Sequence, residues 1–193
     1  GRGRFEVFDA GMHTAAIQRL QLETDLRRGI ERREFVLHYQ PIVTIADGHL
    51  TGFEALVRWQ RPESGLTAPG AFIGVAEETG LITALDEWAL GEACRQLAEW
   101  QQRVPGARSL KVHVNLSVQD LQRPDLLPRL DEVLQATALP PGCLCLEITE
   151  GMLIDDVEAA IELLTAFKDR GLLISLDDFG TGYSSLSYLK RLP

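Results

Sequence analysis

Cysteine is scarce in this sequence, long apolar runs are missing and positive charge is in short supply, and each shortage removes a class of function. Three cysteines do not make a disulfide framework: Cys143 and Cys145 stand two apart on one strand face, far along the chain from Cys94. A reducing, cytoplasmic setting is the simpler reading. No uninterrupted apolar stretch is long enough to span a bilayer, and no signal peptide opens the chain. A formal net charge of −9 argues against a binder of duplex nucleic acid, which carries a basic patch. An acidic protein still handles an anionic substrate when metal ions supply the positive charge at the site. No internal repeat or low-complexity segment interrupts the chain, and its 193 residues fit one domain with a real core. The opening Gly1-Arg2-Gly3-Arg4, with no initiator Met, points to excision from something longer, and a membrane-anchored parent stays open.

What is present is a regular alternation of elements. Residues through Gly11 carry no period and read as a linker, while Thr14 to Arg33 is helix-forming, with Ile17, Leu20, Leu26 and Ile30 as a rough apolar stripe. Residues 1–33 are thus a linker and lead-in helix, and 34–193 the domain proper. Phe35 to Val43 and Leu50 to Trp59 read as strands around the turn Ala46-Asp47-Gly48. So short a connection makes them antiparallel. A loop with Pro62, Gly65 and Pro69 then leads to a short helix from Phe72 to Thr79 and a long one from Ile82 to Gln102. Strands at Val112 to Leu116, Cys143 to Ile148 and Leu172 to Leu176 alternate with helices at Leu126 to Ala136 and Val157 to Arg170. A Gly/Ser-rich segment runs from Asp177 to Ser187. This alternation predicts an α/β fold, a mainly parallel sheet with helices outside it.

Strands of such a sheet are usually apolar on both faces, and these are not. Val112, Val114 and Leu116 oppose His113, Asn115 and Ser117; Leu144, Leu146 and Ile148 oppose Cys145, Glu147 and Thr149. Ile174 and Leu176 oppose Ser175 and Asp177, and Phe53, Ala55, Val57 and Trp59 oppose Gly52, Glu54 and Arg58. A sheet with one aliphatic and one polar face, curled so that the polar faces meet, is a barrel with a site in its mouth. Glu54, Asn115, Glu147 and Asp177 converge there, with Asp178 next in sequence. Such a cluster of carboxylates needs protons, basic side chains or divalent cations to offset its repulsion. Carboxylate plus carboxamide, with no His or Cys in register, suits Mg²⁺ or Mn²⁺ and not zinc. Two adjacent aspartates reach two ions, the arrangement of metal-assisted phosphodiester hydrolysis. Taken singly, each carboxylate reads more readily as a salt-bridge partner than as a ligand, and Asn115 as a core amide; the convergent set on four strands reverses that balance. His113 and His38 read as core histidines, with no partner at ligand spacing.

Glu54-Ala55-Leu56 lies within the longer runs Tyr39-Gln40-Pro41-Ile42-Val43 and Gly52 to Trp59. With Val114-Asn115-Leu116-Ser117, Glu147-Ile148-Thr149-Glu150 and Asp177 to Ser185, these motifs resemble, in order, those of the EAL domain family of cyclic di-GMP phosphodiesterases. The resemblance covers residues 35 to 193. Leu22 to Arg27 is similar to the segment joining a GGDEF domain to an EAL domain, which implies an upstream GGDEF or sensory domain. The family implies a TIM-like (β/α) barrel with an antiparallel first strand. It implies catalysis by Glu54, Asp177 and Asp178, and Mg²⁺ or Mn²⁺ held as a two-metal site by Glu54, Asn115, Glu147, Asp177 and Asp178. It further implies contact of Gln40 and Arg58 with cyclic di-GMP, and a loop pinned by Glu150. Arg58 reads equally as charge balance for the carboxylates. Ser184 and Ser185 read first as a helix N-cap and second as phosphate contacts.

Five strands fall short of an eight-stranded barrel, and the family's later Lys, Glu and Gln lie beyond Pro193. The barrel is expected to be incomplete, with its missing wall supplied by a longer polypeptide or by a second copy in a homodimer, or with the piece only partly folded. Beside the phosphodiesterase stand two rivals: a silent EAL module that binds cyclic di-GMP or a protein partner, and a barrel enzyme abstracting protons with Mg²⁺.

Overall fold

The computed structural model describes residues 10–149, 151, 157–177 and 191–193. A helix, α1 (Ala10–Glu31), leads into the hairpin β1 (Phe35–Val43) and β2 (Leu50–Arg61). After β3 (Gly65–Thr67) come α2 (Ile73–Glu78), α3 (Ile82–Arg103) and β4 (Lys111–Asn115). They are followed by α4 (Val118–Leu121), α5 (Leu126–Thr137), β5 (Leu144–Thr149), α6 (Val157–Asp169) and β6 (Leu173–Asp177). The sheet order is β1-β2-β4-β5-β6, with β3 pairing off β2. β1 is antiparallel to β2, while β2, β4, β5 and β6 run parallel. Among the described residues β1 and β6 are the two ends of this path, so the wall is not closed.

Three local expectations are corrected. α1 begins at Ala10 and not Thr14. Gly65–Thr67, expected as loop, is a short strand because its backbone pairs with Arg61, Gln60 and Trp59. The segment after β4 holds the one-turn helix α4, started by Ser117, whose Oγ accepts the Asp120 N–H at 3.2 Å.

The alternation of faces is what the burial shows. Ala55, Val112, Val114, Leu144, Leu146 and Ile148 are buried in one cluster with Ala93 and Leu97 of α3, Leu130 and Leu134 of α5, and Leu164 and Phe167 of α6. Burying each large side chain of this kind contributes about 1.5–3 kcal/mol, so the helices are held to one side of the sheet. A second cluster of Leu26, Phe35, Trp59, Phe72, Ile82 and Leu85 docks α1 on the hairpin. Trp59 stacks on Phe35 with ring centroids 5.4 Å apart, and its indole lies so close to Gly29 that an added Cβ would stand 2.8 Å from Nε1. Asp25 of α1 also accepts a 2.7 Å ion-pair contact from Arg61 of β2. All three cysteines are free thiols. Among the described residues no helix is long and apolar enough to cross a membrane.

Candidate functional site

The site is assembled by register. Gly52 pairs with Lys111 across β2 and β4, and a Cβ at Gly52 would stand 2.5 Å from the Lys111 carbonyl oxygen. That close approach aligns the two strands so that Glu54 stands opposite His113, with Asn115 one pleat further along the same face. Asn115 pairs with Glu147, Glu147 with Ser175, and Thr149 with Asp177. Glu54, Asn115, Glu147 and Asp177 therefore share the polar face of four consecutive strands: Asn115 and Asp177 close β4 and β6, Glu147 lies in the second half of β5, and Glu54 lies in the stretch of β2 that pairs with β4. Gln40, exposed on β1, pairs with Glu54.

Two hydrogen bonds organise the acidic groups. The Asn115 amide donates from Nδ2 to Glu54 Oε1 at 3.0 Å. His113 Nδ1 lies 2.8 Å from Glu147 Oε1, with the two side chains 18% and 12% exposed. Hydrogen bonds to Cys145 and to Glu147 raise the His113 pKa to about 9, against the opposing effect of burial. Both histidine readings are thus corrected. His113 has a carboxylate partner, placed there by the β4–β5 register, and His38 is exposed on β1 and not in the core.

Arg58 lies on β2 and donates from Nη1 to the Val57 carbonyl at 2.9 Å. It forms no ion pair with a carboxylate among the described residues. Asp177 is exposed at the end of β6. Asp178, Glu150, Ser184 and Ser185 lie outside the described residues.

The donor set is one carboxamide and three carboxylates, hard oxygen ligands of the kind Mg²⁺ and Mn²⁺ take. Among the described residues no three of His, Cys, Asp and Glu gather closely enough to hold an ion. The oxygens are instead spread along adjacent strand ends, with Asn115 between Glu54 and Glu147. In donor type the residues suit a divalent ion, and the set is drawn from separate strands.

Reading the sequence missed Asp86, on the buried side of α3. It is 8% exposed, and its Oδ2 accepts the Ser117 N–H at 3.2 Å. Loss of hydration on burial raises its pKa to about 7, with Asp120 adding to the rise and the bonds from Ser117 opposing it. The bond ties the turn after Asn115 to α3, and Leu116 N–H donates to the Glu147 carbonyl at 2.9 Å on the other side. A signal was available: Asp86 falls one helical turn after Ile82 and before Ala89, a charge within an apolar stripe. Beside this turn lies a cavity of about 280 Å³, lined by Leu56, Asp86, Val114, Asn115, Ser117 and Thr149 among others.

Comparison with known proteins supplies the wider frame. The family model described as "EAL domain" matches residues 23–193. The chain is 44% identical, over 193 residues, to a bifunctional diguanylate cyclase/cyclic di-GMP phosphodiesterase, MucR of Pseudomonas aeruginosa, and 42% identical to the cyclic di-GMP phosphodiesterase NbdA of the same organism. All of the chain is covered in both, but only 28% and 24% of those proteins, so it spans about a quarter of the length of the curated relatives. Among solved structures, the PaMucR phosphodiesterase in complex with c-di-GMP superposes with a TM-score of 0.85 at 46% identity. That match covers 90% of this chain and 69% of the other. The unclosed wall is therefore part of the TIM-like α/β barrel that those structures share, and the chain belongs to the EAL domain family.

Proposed function

We propose that this chain is the metal- and substrate-facing part of a phosphodiesterase that opens cyclic di-GMP to the linear dinucleotide pGpG. The observation that carries the reading is the line of Glu54, Asn115, Glu147 and Asp177 on one face of four adjoining strands. The names of its relatives support it. Water adds across one phosphodiester bond: its oxygen joins phosphorus, and the ester oxygen leaves with a proton as a sugar hydroxyl. Mg²⁺ or Mn²⁺, bound as a pair, supplies charge neutralisation at the phosphate and a more acidic water.

The residues that would hold the pair are Glu54, Asn115, Glu147, Asp177 and Asp178, of which Glu54, Asp177 and Asp178 bear on the reacting atoms. Asn115 keeps Glu54 turned along the strand ends through its amide, leaving its own carbonyl oxygen as a ligand. Arg58 offers its remaining guanidinium N–H groups to a phosphate oxygen, and Gln40 an amide across the hairpin. Glu150 orients the loop that carries Asp178. A second copy of the chain and an upstream GGDEF or sensory domain complete the proposed set of partners.

The test is turnover of cyclic di-GMP by this chain in Mn²⁺ and in EDTA, with pGpG followed by chromatography. Formation of pGpG in Mn²⁺ and none in EDTA is expected. Equal formation in EDTA would overturn the reading, while none in Mn²⁺ would make the chain an incomplete enzyme and leave its family standing.

A further inference from the structure

We propose that His113 is a positioning residue for Glu147, holding that carboxylate in the orientation in which it captures a divalent ion. The inference rests on the metal assignment made above and adds to it a residue that touches neither ion nor substrate.

The geometry is specific. β4 and β5 pair His113 with Cys145 and Asn115 with Glu147, so His113 sits one pleat deeper in the sheet than Glu147. The Glu147 side chain leans back along the strand to place Oε1 2.8 Å from His113 Nδ1. Among the described residues no other group bonds the Glu147 carboxylate, so this contact orients it and leaves Oε2 for an ion. Both side chains are largely withdrawn from solvent, where a hydrogen bond to a charged carboxylate is stronger than at the surface. Glu54 has the matching arrangement, with one oxygen held by Asn115 at 3.0 Å. The two glutamates are thus each tethered at Oε1, one by a neighbouring ligand and one by His113.

A tether of this kind acts on ion affinity in two directions. Donation to Oε1 withdraws electron density from the carboxylate and weakens it as a ligand. Fixing the side chain removes rotamer freedom that ion binding would otherwise have to remove. Orientation dominates in metal sites whose ligands are held by outer hydrogen bonds, where loss of the outer partner lowers affinity by about 10–100-fold.

A purely structural histidine would fill space between β4 and β5 without regard to its donor, and that difference is testable. An Asn at position 113 keeps an N–H donor in the place of Nδ1, whereas a Leu fills similar volume with none. Mn²⁺ is titrated into the 193-residue chain, with free ion counted by its paramagnetic resonance signal and folding checked by circular dichroism. H113L is expected to weaken Mn²⁺ binding about 10–100-fold and H113N to restore it to within about threefold of the parent. H113S, too short to reach Glu147, repeats the donor-free case should H113L fail to fold. Glu147→Ala is the reference. Unchanged binding in H113L or H113S beside lost binding in Glu147→Ala overturns the role of His113 and leaves the metal assignment standing. Unchanged binding in Glu147→Ala overturns the metal assignment itself.

Discussion

The two faces of one sheet are held together by different physics. The helix-facing side is aliphatic: Val112, Val114, Leu144, Leu146 and Ile148 are buried among α3, α5 and α6. Its stability is a sum of non-directional contacts, and no single neighbour decides it. The opposite side carries Glu54, His113, Asn115, Glu147 and Asp177, and there directed bonds count: Asn115 to Glu54 at 3.0 Å and His113 to Glu147 at 2.8 Å. The lesson is that side-chain parity divides this sheet: residues one position apart on a strand either pack against helices or join the polar face proposed as the site. A substitution on one face should disturb folding and spare ligand binding, and the reverse should hold on the other.

The largest expected effect breaks the polar face alone. Glu54→Ala or Asn115→Ala removes a proposed ion ligand, and turnover of cyclic di-GMP should fall by about 10³-fold or more, since such ligands are worth several kcal/mol. Circular dichroism should show the fold retained. Next, Leu146→Ala breaks the aliphatic face. It should lower stability by about 2–5 kcal/mol in urea titration, while Mn²⁺ affinity of the folded fraction stays as it was.

Asp86 sharpens the comparison, because it is a charge placed on the helix side. Its folded pKa of about 7 lies above the ordinary value of 3.8, so between those values the folded protein keeps a proton that the unfolded chain releases. Its contribution therefore makes stability fall as pH rises from about 4 to 7 and stay level above. Asp86→Asn, which still accepts the Ser117 N–H, should remove that slope and gain on the parent by about 4 kcal/mol at pH 8 relative to pH 4. Thermal melts across that range check it. The smallest effect is set by Arg58→Ala, which should raise KM for cyclic di-GMP about tenfold with kcat little changed.

How much of this was legible follows from the same contrast. Alternation along a strand is local, so the hairpin at residues 35–61, the three later strands and their polar parity could all be read from periodicity. β3 could not, because Gly65–Thr67 has no period of its own and exists only through pairing with β2. Nor could α4, four residues started by a single capping serine. In the site, the strand-end acids were legible as a set, but their hydrogen bonds were not. That His113 meets Glu147 depends on the β4–β5 register, which connects residues 34 apart in sequence. Asp86 was half legible, as a polar break in a helix stripe whose partner, Ser117, only the packing reveals. The Gly/Ser-rich segment after Asp177, with Asp178, was read from its motif and lies outside the described residues.

The central claim is that the polar face is a divalent-ion-dependent site for cyclic di-GMP. Calorimetric titration of cyclic di-GMP into the chain, with Mn²⁺ or with EDTA, and into Asn115→Ala with Mn²⁺, tests it most directly. The account predicts binding with Mn²⁺ that is lost in EDTA and lost in Asn115→Ala. Binding of equal strength in all three, or no binding with Mn²⁺, would contradict it.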